Sequence, residues 1–199
     1  MKKIGILSGT FDPVHAGHIA FALDAVDVAQ LDEVYFLPEP KPRRKQGVTH
    51  YAHRIAMLRL ALKPYKKLKL LELPDKQFSV AKSMPKLQKK FAGQKLYMLI
   101  GSDMMEYLAT DQWPQTDRLL KATTLVVGVR SGALEDVISS TLHLLQPEGV
   151  VVVSKRPHAS SRDIRSALMN GKDHAELMQS IRSYVKANWL YSSVLANNS

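Results

Sequence analysis

Residues 3–18 read KIGILSGTFDPVHAGH, and how this stretch divides decides the fold. Lys3–Ser8 is a short, nearly unbroken apolar run that stops at Gly9, the pattern of a strand buried on both faces. From Ala16 to Ala29 the apolar residues Ile19, Ala20, Leu23, Val26 and Val28 return at helical spacing, with Asp24 and Asp27 between them. Strand, glycine turn and helix make the first half of a βαβ unit. Glu33–Leu37 (EVYFL) supplies the second strand, and a parallel pair joined by a right-handed crossover is the expected geometry.

Outward from this unit the alternation continues. Pro38–His50 holds three prolines and five basic residues, His50 included, so it is a long loop leaving the C-terminal end of the second strand. Spacing predicts helices over His50–Lys63, Phe78–Phe91, Ser160–Asn170 and Glu176–Asn188, with Pro85 demanding a kink or a late start in the second of these. Strands are predicted over Leu68–Leu71, Lys95–Ile100, Thr124–Val129 and Gly149–Val153. No repeat or low-complexity tract interrupts them. The pattern implies a doubly wound α/β fold, an open parallel sheet with helices on both faces, whose ligands sit in the crevice at the C-terminal ends of the strands.

The 199 residues favour one domain, and 45% hydrophobic with 23% charged content is the balance of a chain that folds around a core. Lys and Arg number 28 against 18 Asp and Glu, a formal charge of +10 that asks for an anionic partner. With no cysteine, a disulfide scaffold and a Cys-based zinc site or nucleophile are excluded. The two lysines before the first apolar run mimic a signal peptide, but the run ends before Asp12 and Pro13, short of the ~7–15 apolar residues of such a segment. No stretch approaches the ~18 apolar residues of a membrane span, so a cytoplasmic protein with no membrane partner is expected.

Chemistry concentrates at the first turn. Gly9 lets backbone N–H groups approach a ligand, and the following helix offers its positive end to an anion. His15 and His18 lie three apart on one helical face with Gly17 between them, an arrangement suited to charge building on a phosphoryl group. The pair could also be half a metal site or two solvated side chains with no role. A metal is not expected, because no HExxH pattern accompanies the pair. His50 and His53 repeat the spacing without the Gly and Asp-Pro context.

Gly9-Thr10-Phe11-Asp12-Pro13 followed by His15-x-Gly-His18 resembles the signature of the Rossmann-like nucleotidyltransferase superfamily. Ser160-Ser161-Arg162-Asp163-Ile164-Arg165 resembles its second motif, Ser-Ser-Thr-x-Ile-Arg, with Arg162 in place of Thr. There a helix N-terminus, two hydroxyls and an arginine fork suit a triphosphate. Further stretches are similar to the nicotinate-nucleotide adenylyltransferase group: Leu99–Asp103, Trp113–Leu120, Arg130-Ser131-Gly132, Arg54–Leu58 and Val185–Tyr191. The likeness runs from Lys3 to Tyr191, which implies a single nucleotidyltransferase domain over residues 1–191 and a polar tail over 192–199.

The resemblance implies transfer of AMP from ATP to a mononucleotide phosphate with release of pyrophosphate, in NAD biosynthesis when the acceptor is nicotinate mononucleotide. His15, His18 and Arg165 would be catalytic. Gly9, Thr10, Phe11, Lys45, Gly101, Asp103, Ser160 and Ser161 would hold ATP and its phosphates, Mg²⁺ would be carried by those phosphates, and Ser79, Trp113 and Arg130 would meet the acceptor. The departures fall on acceptor choice: Val80 and Ala81 stand where the group has Tyr and Thr beside the nicotinate ring. Nicotinamide mononucleotide, phosphopantetheine or another phosphate ester therefore stay open as acceptors. So does a homo-oligomer. A catalytically dead nucleotide sensor is the rival that the two histidines and Arg165 argue against. A nucleic-acid-binding protein would match the +10 charge, but no RNP, KH, basic-zipper or zinc-finger pattern is present and the lysines are spread over several elements, so no nucleic-acid partner is expected.

Overall fold

The computed structural model of the chain describes residues 1–42, 45–110, 112–129, 135–154, 156 and 159–192, apart from the Glu106 side chain. The first half runs β1 (Lys3–Gly9), α1 (Ala16–Val28), β2 (Glu33–Pro38), α2 (Tyr51–Leu62), β3 (Leu68–Leu70), α3 (Ser83–Lys90) and β4 (Lys95–Gly101). The second runs α4 (Asp103–Ala109), α5 (Thr116–Ala122), β5 (Thr124–Val129), α6 (Glu135–Leu145), β6 (Val150–Val153), α7 (Ser161–Met169) and α8 (Gln179–Ala187). The strands form one sheet in the order β3-β2-β1-β4-β5-β6, and every pair is parallel. This is the Rossmann-like order. The chain winds outward from β1 to β3, returns to β4 and winds out the other way, leaving a crevice at the C-terminal ends of β1 and β4.

Successive strand residues feed two separate cores, which is why the strands look uniformly apolar. Leu7, Val34, Phe36, Tyr97, Leu99, Val126 and Val152 face the layer that contains residues of α1, α2, α7 and α8. Ile4, Ile6, Leu37, Leu96, Met98, Ile100, Leu125 and Val127 face the layer that contains residues of α3, α4, α5 and α6. Burial on both sheet faces removes the polar alternation expected of a half-exposed strand. Among the described residues no helix is long and apolar enough to cross a membrane.

Two helix starts differ from the spacing and three helices are absent from it, each for a physical reason. The helix predicted from Phe78 begins at Ser83, which puts Pro85 in the first turn where its missing N–H leaves no bond unmade. The last helix begins at Gln179 and not Glu176, because the Glu176 carbonyl accepts the Ala16 N–H at 2.9 Å and so serves the start of α1. The helices α4, α5 and α6 have no counterpart in the spacing: α4 and α5, at seven residues each, are too short to develop a helical period, and α6 buries only Leu142 among its eleven residues, so it shows no continuous apolar stripe. The polar tail lies outside the described residues beyond Ser192.

Candidate active site

The turn between β1 and α1 is held from inside. Phe11, in the left-handed region at φ 51°, buries its ring 5.4 Å from the Phe36 ring and edge-on to His18 at 5.1 Å. His15 is the N-cap of α1, and the two imidazoles lie 3.7 Å apart between centroids. His18 Nδ1 accepts the His15 backbone N–H at 3.3 Å. A backbone amide can only donate, so this bond selects the tautomer that carries its proton on Nε2, the ring's other nitrogen. His18 thereby carries its ring donor on Nε2.

The second motif is fastened onto the first. Ser160 caps α7 by accepting the Asp163 N–H at 3.4 Å. Ser161 Oγ donates to the Pro13 carbonyl at 2.9 Å, and Arg165 Nη1 donates to the Asp12 carbonyl at 2.6 Å. Gly17 is what allows this approach: a Cβ there would stand 2.5 Å from Ala159 Cβ and 3.1 Å from the His15 ring. The side of Gly17 where a Cβ would stand is thus filled by protein, while the residue itself lines the opening described below. Two helix starts separated by some 145 residues of chain, α1 at Ala16 and α7 at Ser161, converge on one opening.

Beneath the turn lies a network that the motifs do not announce. Arg54, 1% exposed, donates from Nε to the Thr49 carbonyl at 2.9 Å and from Nη1 to the carbonyls of Thr10 at 2.7 Å and Glu39 at 2.9 Å. Its Nη2 reaches the Pro40 carbonyl at 2.9 Å. One guanidinium therefore ties the loops after β1 and β2 to the start of α2. Burial lowers its pKa and the neighbouring Asp12 opposes that shift. Asp12 is also buried, its carboxylate accepting the Tyr191 hydroxyl at 2.6 Å and the Thr49 N–H at 3.2 Å. Burial, reinforced by Asp12, drives the Tyr191 pKa far up, so its hydroxyl stays a donor. Sequence reading noted Arg54 and Tyr191 only as parts of resemblances. A basic residue inside an otherwise apolar helical face was the available signal for Arg54, and Tyr191 offered none.

A cleft of about 1000 Å³ opens above these elements. His15, His18 and Arg165 line it, as do Gly9, Thr10, Phe11, Lys45, Gly101, Asp103, Ser160 and Ser161. Lys45 crosses from the β2–α2 loop to donate to Thr10 Oγ1 at 2.9 Å. Arg156 and Arg162 join the same lining, and Arg156 is paired with Glu176 at 3.1 Å. The acceptor residues behave differently. Ser79 is not in the lining; its Oγ accepts the Lys82 N–H at 3.2 Å and its N–H goes to Ser83 Oγ at 3.1 Å, bonds that shape the approach to α3. Trp113 packs, partly buried, against the α3–α6 core and is likewise absent from the lining. Arg130 lies outside the described residues.

A Rossmann-like sheet whose crevice gathers paired histidines, two helix starts and several cations defines a nucleotidyltransferase. Residues 6–167 match the cytidylyltransferase-like family, and the chain belongs to it. Within that family, the nicotinate-nucleotide adenylyltransferase of Bacillus subtilis (strain 168) is 34% identical over 202 residues, covering 97% of this chain and 100% of that protein. Among solved structures, Plasmodium falciparum nicotinic acid mononucleotide adenylyltransferase complexed with NaAD aligns with a TM-score of 0.77 at 16% identity, over 96% of this chain and 98% of that one. The same enzyme complexed with APC gives 0.76 at 17%, with the same coverage of both chains. At such identities these two likenesses establish the fold.

Proposed function

We propose that the chain transfers AMP from ATP to the phosphate of nicotinate mononucleotide, giving nicotinate adenine dinucleotide and pyrophosphate, a cytoplasmic step of NAD biosynthesis. The observation that carries this reading is the fastening of α7 to the first turn, which puts Arg165, Ser161, His15 and His18 on one cleft. The acceptor phosphate is already an anion, so the enzyme needs no base to make a nucleophile. Its oxygen attacks the α-phosphorus, a new P–O bond forms, and the bond to the bridging oxygen breaks with its electrons leaving on pyrophosphate. Catalysis is then positioning and charge stabilisation.

Residues of the first turn, Gly9, Thr10 and Phe11, would form the wall for the α-phosphate, and His15 and His18, which line the same cleft, would meet the reacting phosphates. Arg165, Ser160, Ser161 and Lys45 would hold the β and γ groups, with Gly101 and Asp103 on the nucleoside side. Among the described residues no group of three or more His, Asp or Glu is placed to hold a metal ion. Asp103 and Asp163 are carboxylates of the cleft, and oxygen donors of this kind fit Mg²⁺ carried on substrate phosphates. Bound there, Mg²⁺ would neutralise charge on the departing pyrophosphate.

The test is pyrophosphate release with Mg²⁺ and either ATP or CTP across nicotinate mononucleotide, nicotinamide mononucleotide and phosphopantetheine. ATP with nicotinate mononucleotide is expected to give the highest kcat/KM. A second reading, the same reaction on another acceptor, is favoured by Val80 and Ala81 at the positions noted above, and a different leader in the panel would establish it.

A further inference from the structure

The residue that closes the network under the first turn comes from the segment after α8. Tyr191 is absent from the cleft lining, yet its hydroxyl donates to Asp12 Oδ1 at 2.6 Å across 179 residues of chain. Both ends of this bond sit in unusual backbone. Phe11, next to Asp12, has φ 51°, while Trp189 and Tyr191 have φ 53° and 58°. Left-handed conformations at aromatic residues persist only where the surroundings hold them, and they cluster where geometry matters to function.

What the bond holds is specific. The Asp12 carboxylate is fixed from one side by Tyr191 and from the other by the Thr49 N–H, itself in the loop that Arg54 clamps. The carbonyl of the same Asp12 seats the Arg165 guanidinium at 2.6 Å. With the carboxylate held at both oxygens, Asp12 loses the freedom that would let the peptide carrying this carbonyl shift, and Arg165 lines the cleft. We propose that Tyr191 is a positioning residue: by anchoring Asp12 it fixes the carbonyl that aims Arg165 at the phosphates. Its kinetic arm rests on the proposed AMP transfer. Arg165 does its work on charge that grows as pyrophosphate departs, so a loosened seat is felt in turnover more than in ground-state binding.

Tyr191→Phe keeps the ring and removes the donor. The expected result is a kcat reduced about tenfold with the KM for ATP changed less than twofold, since a hydrogen bond to a charged acceptor contributes on this scale. In an Arg165→Ala background the same substitution should cost less than twofold, because the group it aims is gone. Full kcat, or equal losses in both backgrounds, overturns the proposal and leaves Tyr191 a packing residue. The wild-type protein supplies a test that needs no variant. The Tyr191 hydroxyl proton should exchange slowly in proton NMR and shift as Mg-ATP is titrated, whereas a resonance indifferent to saturating ATP overturns the coupling to the cleft. If ATP binds and shifts this proton but no acceptor in the panel turns over, the reading of the reaction fails and the positioning role stands.

Discussion

The two ends of the proposed reaction are built differently. At the phosphate end, residues from β1, the β2–α2 loop, β4 and α7 converge on one cleft and are tied by bonds such as Arg165 to the Asp12 carbonyl and Lys45 to Thr10. Of the residues that resemblance assigns to the acceptor end, Ser79 makes local hydrogen bonds ahead of α3 and Trp113 packs on the second core, and neither lines the phosphate cleft. Phosphate recognition needs helix starts, glycine and fixed cations, so it leaves a short motif. Recognition of the acceptor's ring depends on side chains that tertiary packing must bring together, and no spacing announces them.

The sharpest way to break this contrast is to remove what organises the phosphate end from below. Arg54→Ala would leave four backbone carbonyls and the buried Asp12 without the guanidinium. A loss of about 3–5 kcal/mol in unfolding free energy is expected, measured by urea denaturation. A near-neutral result would mean that the turn holds itself.

Next in size is His18→Ala, which removes a donor while the Phe11 ring stays buried against Phe36. Turnover should fall by a factor on the order of 10²–10³, about 3–4 kcal/mol of activation free energy, with an unchanged circular dichroism spectrum. Gly17→Ala tests the fastening itself. An alanine inside a helix ordinarily stabilises by about 0.5–1 kcal/mol. Here its Cβ would meet Ala159 Cβ at 2.5 Å, an overlap that costs about 1–3 kcal/mol, so a net loss in thermal stability is expected. Adding Ala159→Gly should recover most of it, and failure to do so would place the strain on the His15 ring.

How much of this was readable is clear from particular residues. Strands with two buried faces leave apolar runs, so β1, β2, β4 and β5 were found to within a residue. The phosphate motifs were legible because backbone geometry demands particular residue types in a row. Arg54 and Arg59 show the limit. They share α2, yet one is sealed under four carbonyl bonds and the other makes an exposed 3.3 Å pair with Glu72. The difference lies in loops that fold back from β1 and β2; α2 itself records only that Arg54 falls on its apolar face, not what receives its guanidinium. Tyr191 is hidden for the same reason, since its partner is 179 residues away.

The smallest expected effect probes the acceptor end. Trp113 packs, partly buried, against the second core, and its carbonyl accepts the Thr116 hydroxyl at 2.7 Å ahead of α5. Trp113→Phe keeps an apolar ring there and leaves that backbone bond intact, so it should cost about 1 kcal/mol of stability. The KM for the acceptor should stay within twofold of its original value, because the indole packs on the core and lies outside the cleft lining. A rise of tenfold or more, with the KM for ATP unchanged, would mean that the ring turns to stack on the acceptor. The acceptor end would then be assembled by its ligand, while the phosphate end is set before ATP arrives, and the contrast between them would become one of timing as well as of architecture.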